Sequence, residues 1–324
     1  MLGALLSLLS AATFGMNIAT LRRGVISGTV LQALAITVPA GVPLFALACL
    51  FFGAFDTFLG MSLEAWGWFA TAGVIHFVVG RYGNYRATRA LGGAQSGPIQ
   101  QVALLVSLAL AIVFLGERLT TLSIIGILLI LAGPIVIAGS AVTKGEVRTR
   151  AGQKLNYVEG YFWSLVCAAG FGSSPLLIKY GLEGGGIEAS LAGGLVSYAA
   201  ATVVILIVVL LPQNIGQVRS LDIGNAGWFV ATGVLVFISQ MLLYMALALA
   251  PVSVVSAVQR TALVFRVIFT WMLNRDHEVL GASTLAGIGL SALGVIAVTI
   301  TPDMLAEWVP LPAAIGDILR LSWP

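Results

Sequence analysis

Charged residues are scarce in this sequence. They make up 9% of its 324 residues, against roughly one quarter in an ordinary soluble domain. Hydrophobic residues make up 59%, and the mean hydropathy is +1.03. A single soluble core cannot bury so much apolar surface, so we expect much of it to face lipid. The composition therefore excludes a soluble domain and predicts an integral membrane protein.

Residue types that build catalytic and metal sites are also few. The two cysteines, Cys49 and Cys167, lie in apolar runs and indicate neither a disulfide framework nor a metal site. The sequence contains no phosphate-binding loop, dinucleotide fingerprint or catalytic-triad spacing above chance. The net charge of +3 comes from basic residues scattered over predicted loops, which is typical of membrane topology. We expect no enzyme, no cofactor, no metal and no nucleic-acid partner.

Apolar runs of roughly 18 to 25 residues predict an all-α protein with ten transmembrane helices. In the first half they lie near Leu2–Leu21, Leu31–Phe55, Trp66–Tyr85, Ser96–Leu115 and Leu122–Ser140. In the second half they lie near Val158–Tyr180, Ser190–Leu211, Ala226–Ala250, Val252–Leu273 and Thr284–Ile300. The first run starts directly after Met1 and is interpreted as a retained helix, with a cleaved signal peptide as the alternative.

The two halves resemble each other at an offset near 160 residues. Ser7–Gly15 returns as Ser164–Gly172, and Gln100-Gln101 returns as Gln259-Arg260. Duplicated hydrophobic halves are typical of transporters with a binding site at the repeat interface. Because each repeat has five helices, the second copy enters the membrane from the opposite side, so we predict inverted repeats.

The predicted organisation has four parts. Residues 1–140 form the first repeat, 141–157 a basic linker, 158–300 the second repeat and 301–324 a C-terminal tail. The tail alternates apolar and charged residues, which fits an amphipathic interfacial segment; a poorly ordered tail broken by Pro310 and Pro312 is the alternative.

The distribution of basic residues predicts the orientation. Ten Lys and Arg residues follow the odd-numbered helices, whereas only Arg118, Lys179 and Arg320 lie on the opposite side. The positive-inside rule then places the odd loops in the cytoplasm and both termini outside, in an inner (plasma) membrane.

Phe114-Leu115-Gly116-Glu117-Arg118-Leu119-Thr120, followed by Gly126 and Gly133, resembles a stretch of the EamA-type drug/metabolite transporters. The resemblance covers nearly the whole chain, although the second copy has Asn274–Leu280 in place of the motif and Ala257 in place of Pro98. It implies a ten-helix transporter but no particular substrate. It also implies cytoplasmic termini, against the orientation that the charges predict. We interpret Glu117 and Arg118 as a helix-end device rather than a substrate site.

Apart from Glu159 and Lys179 at the ends of the sixth span, the charged residues inside the ten predicted spans are Arg81, Arg260 and Arg266. An arginine at the bilayer centre costs roughly 2.5–3.5 kcal/mol even on the lenient insertion scale, so it must face the interior or water. Arg260 lies near the midplane of the ninth span, at the position that corresponds to Gln101 in the first repeat. Its role is either to contact a ligand or to hold helices together by hydrogen bonds. Arg266 is six residues further, about 120° around a regular helix, so we expect the two arginines on different faces.

Other polar residues complete the predicted site. Arg81 and Tyr85 share a face with Arg89, either as an access path for an anion or as an interfacial anchor. His76 is a candidate for proton coupling, or a satisfied hydrogen-bond partner. Ser173-Ser174-Pro175 is expected to break the sixth span or to kink it. The predicted substrate-binding residues are Arg260, Gln259, Gln100, Gln101, Arg81, Tyr85, Asn17, Ser174, Gln240 and Tyr244.

The leading hypothesis is a secondary transporter for an anionic or zwitterionic solute, such as an organic phosphate, a carboxylate or an amino acid. A lipid or polyprenyl-phosphate flippase is the alternative, and the remote alternatives are a lipid-modifying membrane enzyme at Asp276-His277-Glu278 and a membrane scaffold or receptor. Expected partners are a small-molecule or lipid substrate and membrane lipids, with the protein a monomer or a homodimer.

Overall fold

The computed structural model describes residues 1–91, 93–142, 156–273, 282–300, 302, 304–305 and 312–323, and it is mostly helical. Six described segments are long and apolar enough to cross a membrane: 2–27, 30–51, 158–182, 187–210, 223–249 and 252–273. Two shorter apolar helices cover 102–115 and 121–133. The predicted linker, apart from its ends, and the segment Asn274–Leu280 lie outside the described residues.

In the first half the elements are α1 (Leu2–Ser27), α2 (Val30–Thr37), α3 (Gly41–Phe51), α4 (Phe55–Leu59), α5 (Leu63–Gly73), a π-helical segment (Val74–Gly80), α6 (Arg81–Leu91), α7 (Gly93–Gln100), α8 (Val102–Leu115), β1 (Leu119–Thr120) and α9 (Thr121–Val142). In the second half they are α10 (Tyr157–Leu182), α11 (Ile187–Leu210), α12 (Pro212–Arg219), α13 (Ile223–Leu249), α14 (Val252–Gln259), α15 (Ala262–Leu273), α16 (Ala282–Thr299), α17 (Ala313–Arg320) and β2 (Ser322–Trp323).

Local sequence signals explain several helix ends. α2 begins with a capping box, in which Thr29 Oγ1 accepts from the Gln32 backbone N–H while Gln32 Oε1 accepts from the Thr29 N–H. α8 ends at Gly116, whose φ of +63° lies in the left-handed region. The Leu-Gly-Glu stretch therefore does end a helix, as its sequence predicts.

The tail forms structure in the described part. α17 begins directly after Pro312, the N-cap residue, whose backbone is extended. β2 then pairs with β1 in antiparallel register, Leu119 opposite Trp323 and Thr120 opposite Ser322. Ala313–Arg320 is therefore helical, and the interfacial position of the tail stays a prediction.

Glycines allow equivalent helix contacts in the two halves. A Cβ at Gly15 of α1 would lie 2.6 Å from Cβ of Phe265 in α15. A Cβ at Gly172 of α10 would lie 2.6 Å from Cβ of Val106 in α8. Gly15 corresponds to Gly172 in the repeat, and Val106 to Phe265. The same close approach therefore occurs twice, because only glycine leaves the space that it needs.

The close packing of α9 against α16 predicts a large effect of a bulky residue there. Gly294→Leu should lower the free energy of unfolding by about 1–3 kcal/mol, because a Cβ at Gly294 would already lie 2.6 Å from the carbonyl oxygen of Gly126. The measurement is the melting temperature of the detergent-solubilised protein.

Gly289→Leu is the matched control on the same helix, since a Cβ at Gly289 would meet nothing within 4 Å. Its melting temperature should stay near that of the unmodified protein. Equal melting temperatures for the two variants would contradict the role assigned to the α9–α16 contact.

Candidate functional site

Two helices are interrupted at corresponding places. α7 gives way to α8 at Gln101, and α14 gives way to α15 at Arg260 and Thr261. At both places 3₁₀-type hydrogen bonds, from residue i to residue i−3, replace the α-helical pattern. The Leu104 N–H donates to the Gln101 carbonyl at 2.9 Å, and the Arg260 N–H donates to the Ala257 carbonyl at 3.0 Å. These interruptions were not predicted, since neither place carries a glycine or a proline.

The two interruptions face each other and exchange hydrogen bonds. Gln101 Nε2 donates to the carbonyl of Arg260 at 3.4 Å, and Arg260 Nη1 donates to the carbonyl of Gln100 at 3.5 Å. Both bonds are long, so they are weak compared with ordinary ones near 2.9 Å. The residues that the repeat pairs in sequence are therefore in contact in space.

A cavity of about 70 Å³ adjoins this contact. Since one ordered water occupies roughly 10–15 Å³ of such a cavity, this conformation has room for a few waters. Its lining residues come from six membrane segments: Phe14, His76, Gly97, Gln100, Gln101, Phe171, Pro175, Ser239, Gln240, Leu243, Ser256, Gln259, Arg260, Ala262, Leu263 and Arg266.

Arg260 gives the cavity a positive charge. No Asp or Glu is among the described residues that line it. The Arg260 side chain is partly buried, and within the described part of the chain its Nε has no hydrogen-bond partner. Because a guanidinium has five N–H donors, most of its hydrogen-bonding capacity is available to water or a ligand.

Further polar atoms of the lining have no described partner. Gln100 Nε2 is a donor, Gln101 Oε1 and Gln240 Oε1 are acceptors, and His76 Nε2 and Ser256 Oγ can act as either. Buried polar groups are nearly always satisfied in native proteins, so these atoms indicate bound water or a polar ligand. The cavity thus offers donors and acceptors around one cation.

Arg266 lines the same cavity as Arg260, which contradicts the expected placement on different faces. The expectation assumed a regular helix, whereas the interruption at Arg260–Thr261 changes the rotation between the two residues. Arg266 is 4% exposed and donates to Ser96 Oγ at 2.9 Å, to Thr88 Oγ1 at 3.0 Å and to Gln100 Oε1 at 3.4 Å. These bonds fix its position.

His76 lies in the π-helical segment, a rare geometry that is frequent at functional sites. Its Nδ1 is 2.6 Å from Ser174 Oγ, and its ring stacks on Phe171 with centroids 4.4 Å apart. Ser174 therefore contacts the side of the ring that faces away from the cavity, and it is not itself among the lining residues. α10 continues through Pro175, so the predicted helix break is absent.

Arg81 and Tyr85 are predicted site residues that the structure places away from this cavity. The Arg81 guanidinium lies 4.6 Å from the Phe77 ring centroid and donates to Tyr198 Oη at 2.8 Å and to the Thr37 carbonyl at 3.3 Å. Tyr85 Oη donates to Thr37 Oγ1 at 3.3 Å. Since Arg81 is 2% exposed, the two residues join helices in this conformation and do not line an open path.

Asn17 and Tyr244 also lie outside the cavity lining. Both are fully buried, and Tyr244 packs its ring against Phe45 and Phe69. The residues that sequence reasoning missed include Phe14 and Phe171, whose ring centroids are 6.0 Å apart. The two phenylalanines occupy corresponding positions in the two repeats, and this correspondence could have identified them as site residues from the sequence.

Glu117 fixes the end of α14 remote from Arg260. Its two carboxylate oxygens accept from the backbone N–H groups of Val252 and Ser253, at 2.7 and 2.9 Å. A carboxylate at a helix N-terminus satisfies free donors and interacts favourably with the helix dipole. Glu117 therefore anchors the half-helix that carries Arg260, in agreement with the predicted helix-end role.

The model of the EamA-like transporter family matches residues 1–139 and 158–300. The chain belongs to the EamA-like transporter family. It is therefore a multi-pass membrane transporter of the drug/metabolite type, and members of this family are transporters rather than enzymes. The two matched ranges coincide closely with the two predicted repeats.

Solved structures agree on the fold. One of 25 matching chains, from a crystal structure, has a TM-score of 0.68. The match covers 94% of this chain and 98% of the other at 17% identity, so it concerns the fold alone. No curated protein matches.

Removal of the Glu117 carboxylate should loosen α14. Glu117→Ala should cost about 0.5–2 kcal/mol of stability, because two N–H groups of α14 lose their acceptor. A lower melting temperature would show it. Glu188→Ala, which removes an exposed carboxylate that accepts from the Thr57 hydroxyl, is the control and should cost less than about 0.5 kcal/mol. Equal melting temperatures for the two variants would rule out the anchoring role.

Proposed function

We propose that this transporter carries an anionic or zwitterionic solute through the cavity at the two helix interruptions, with Arg260 as the charge that binds it. The observation that carries the proposal is the Arg260 guanidinium, which lines the cavity with one long hydrogen bond and no carboxylate among the described lining residues. A partly buried cation without a carboxylate partner is stabilised by a ligand of opposite charge.

The neutral polar groups define the rest of the ligand. Gln101 Oε1 and Gln240 Oε1 accept hydrogen bonds, so they suit hydroxyl groups or the ammonium of an amino acid. Gln100 Nε2 donates and suits a second oxygen of a carboxylate or phosphate. Hydroxy acids, phosphate esters and amino acids all satisfy this pattern, whereas a simple cation does not.

We further propose that the ten predicted spans form two inverted five-helix repeats and that the cavity lies on their pseudo-two-fold axis. Three observations support it: the reciprocal Gln101–Arg260 contact, the equivalent close approaches at Gly15 and Gly172, and the pairing of Phe14 with Phe171. In the first and third observations, two residues at corresponding positions of the repeats contact each other. In the second, two corresponding glycines make the same type of helix contact. Such a site at a repeat interface is the usual binding place in transporters of this construction.

A charge-selectivity experiment tests the proposed substrate class. Purified protein is titrated with glycerate, glycerol 3-phosphate, alanine, glycerol and choline, with thermal stabilisation as the first measurement and calorimetry as the second. We expect stabilisation by glycerate, the phosphate ester or alanine, and none by glycerol or choline. Stabilisation by choline alone would contradict the proposal.

The Arg260 variants identify the charge responsible. Arg260→Gln keeps a donor but removes the charge, so affinity for the bound anion should fall about ten- to a hundredfold, as expected from charge-assisted bonds of roughly 1.5–3 kcal/mol. Arg260→Lys should be only partly tolerated, because an ammonium cannot make the planar two-pronged contact. Arg118→Gln, an exposed position at the end of α8, is the control and should bind normally. Normal binding by Arg260→Gln with reduced thermal stability would make Arg260 a structural clamp.

We propose an orientation with both termini outside, on the ten-to-three division of basic residues. Single cysteines in residues 141–157 should resist a membrane-impermeant thiol reagent in intact cells, while a cysteine near position 324 should react. Cys49 and Cys167 are fully buried, so the unmodified protein provides a low background. The reverse labelling pattern would place the termini in the cytoplasm.

A further inference from the structure

The described lining of the cavity includes a histidine, a side chain that ordinarily changes its charge near neutral pH, beside the fixed cation of Arg260. His76 is 5% exposed, lines the cavity together with Arg260, and has an Nε2 atom without a described partner. The other side of its ring is occupied, since Nδ1 lies 2.6 Å from Ser174 Oγ. We assign the Nδ1 proton to this bond, which leaves the Nε2 lone pair to accept a further proton.

In the part of the chain that the structure describes, the charged groups that act on His76 are positive. Arg81, in the next helix, and Arg260, across the cavity, are its electrostatic neighbours, and Arg266 lines the same cavity. A second positive charge on the His76 ring is therefore opposed while the cavity is empty, because like charges repel strongly where water is sparse.

The remaining titratable neighbours add no negative charge near neutral pH. Cys167 lies in α10, and Tyr198, in α11, packs its ring 4.0 Å from the Phe77 ring centroid. Thiols and phenols ordinarily ionise well above pH 7. No Asp or Glu is among the described residues that line the cavity, so only the ligand can supply an anion beside the ring.

We propose that His76 takes up one proton when an anion binds beside Arg260, so that anion and proton cross the membrane together. The proton passes from solution to Nε2 on the side where the cavity loads. It returns to solution on the other side when the anion leaves, because Arg81 and Arg260 again oppose the positive charge on the ring. Binding of one monoanion with one proton adds no net charge to the cavity.

This inference rests on the proposed function of the cavity and adds the coupled ion and the direction of transport. A carrier that moves a monoanion with a proton is electroneutral. It is driven inward wherever the proton gradient points inward, and the membrane potential does not drive it.

Proton uptake is measured first on the unmodified protein. Glycerate binding (or alanine binding, if the panel selects alanine) is followed by calorimetry at pH 7 in buffers of different ionisation enthalpy. The carboxylate of each ligand stays ionised above roughly pH 5, so the ligand itself takes up no proton. We expect uptake of up to one proton, and an affinity that rises up to about tenfold for each unit that the pH falls.

Variants then identify the group that takes up the proton. His76→Gln, and His76→Asn as a smaller alternative, should lose both the proton uptake and the pH dependence of the affinity. His277→Gln removes the only other histidine of the chain and should retain both. In liposomes, an acidic exterior should accelerate glycerate uptake, whereas an imposed potassium-diffusion potential should not.

Each failure has a separate meaning. Binding without proton uptake overturns the coupling and leaves the proposed function intact. Proton uptake that persists in both His76 variants also overturns it, since another group is then responsible. Absence of binding by every anion and zwitterion of the panel overturns the proposed function itself.

Discussion

Gln101 donates to the carbonyl of Arg260 while Arg260 donates to the carbonyl of Gln100, so each helix interruption supplies a partner to the other. In the hydrocarbon region a free backbone group costs several kcal/mol, and interruptions persist only where protein or water satisfies them. Each interruption therefore contributes one further, weak hydrogen bond to a backbone carbonyl of the other. Their contact places the amides, the guanidinium and the cavity at one point between the two halves of the chain.

The two cavity arginines differ in what binds them, and this difference separates their roles. Arg266 donates to three side-chain oxygens within 3.4 Å, which hold it against α6 and α7. Arg260 makes one long bond to a carbonyl, at 3.5 Å. A ligand oxygen that binds Arg260 displaces one weak hydrogen bond, whereas a ligand that binds Arg266 would have to replace three hydrogen bonds. The geometry thus favours Arg260 for recognition and Arg266 for support.

Sequence reasoning succeeded where a local pattern determines the structure, as in the six apolar runs that form long helical segments and in the glycine at the end of α8. It failed where distant contacts decide. Pro175 lies inside a continuous helix, whereas the interruption at Gln101 has no local breaker and depends on a partner 159 residues away. Arg81 was predicted to bind substrate because its hydrogen-bond partner, Tyr198, is 117 residues away in the sequence and no local pattern indicates the contact. No local pattern marks the π-helical segment around His76 either.

The narrowness of the cavity connects binding to conformational change. A space of about 70 Å³ has room for a few waters, so binding of a larger solute requires the cavity to widen. The bonds that hold the interruptions together are 3.4 and 3.5 Å long and are therefore weak. An anion at Arg260 offers a stronger acceptor than the carbonyl of Gln100. Because a ligand shifts an equilibrium only by its differential affinity for two states, this exchange of acceptors is what allows the solute to favour the opened cavity.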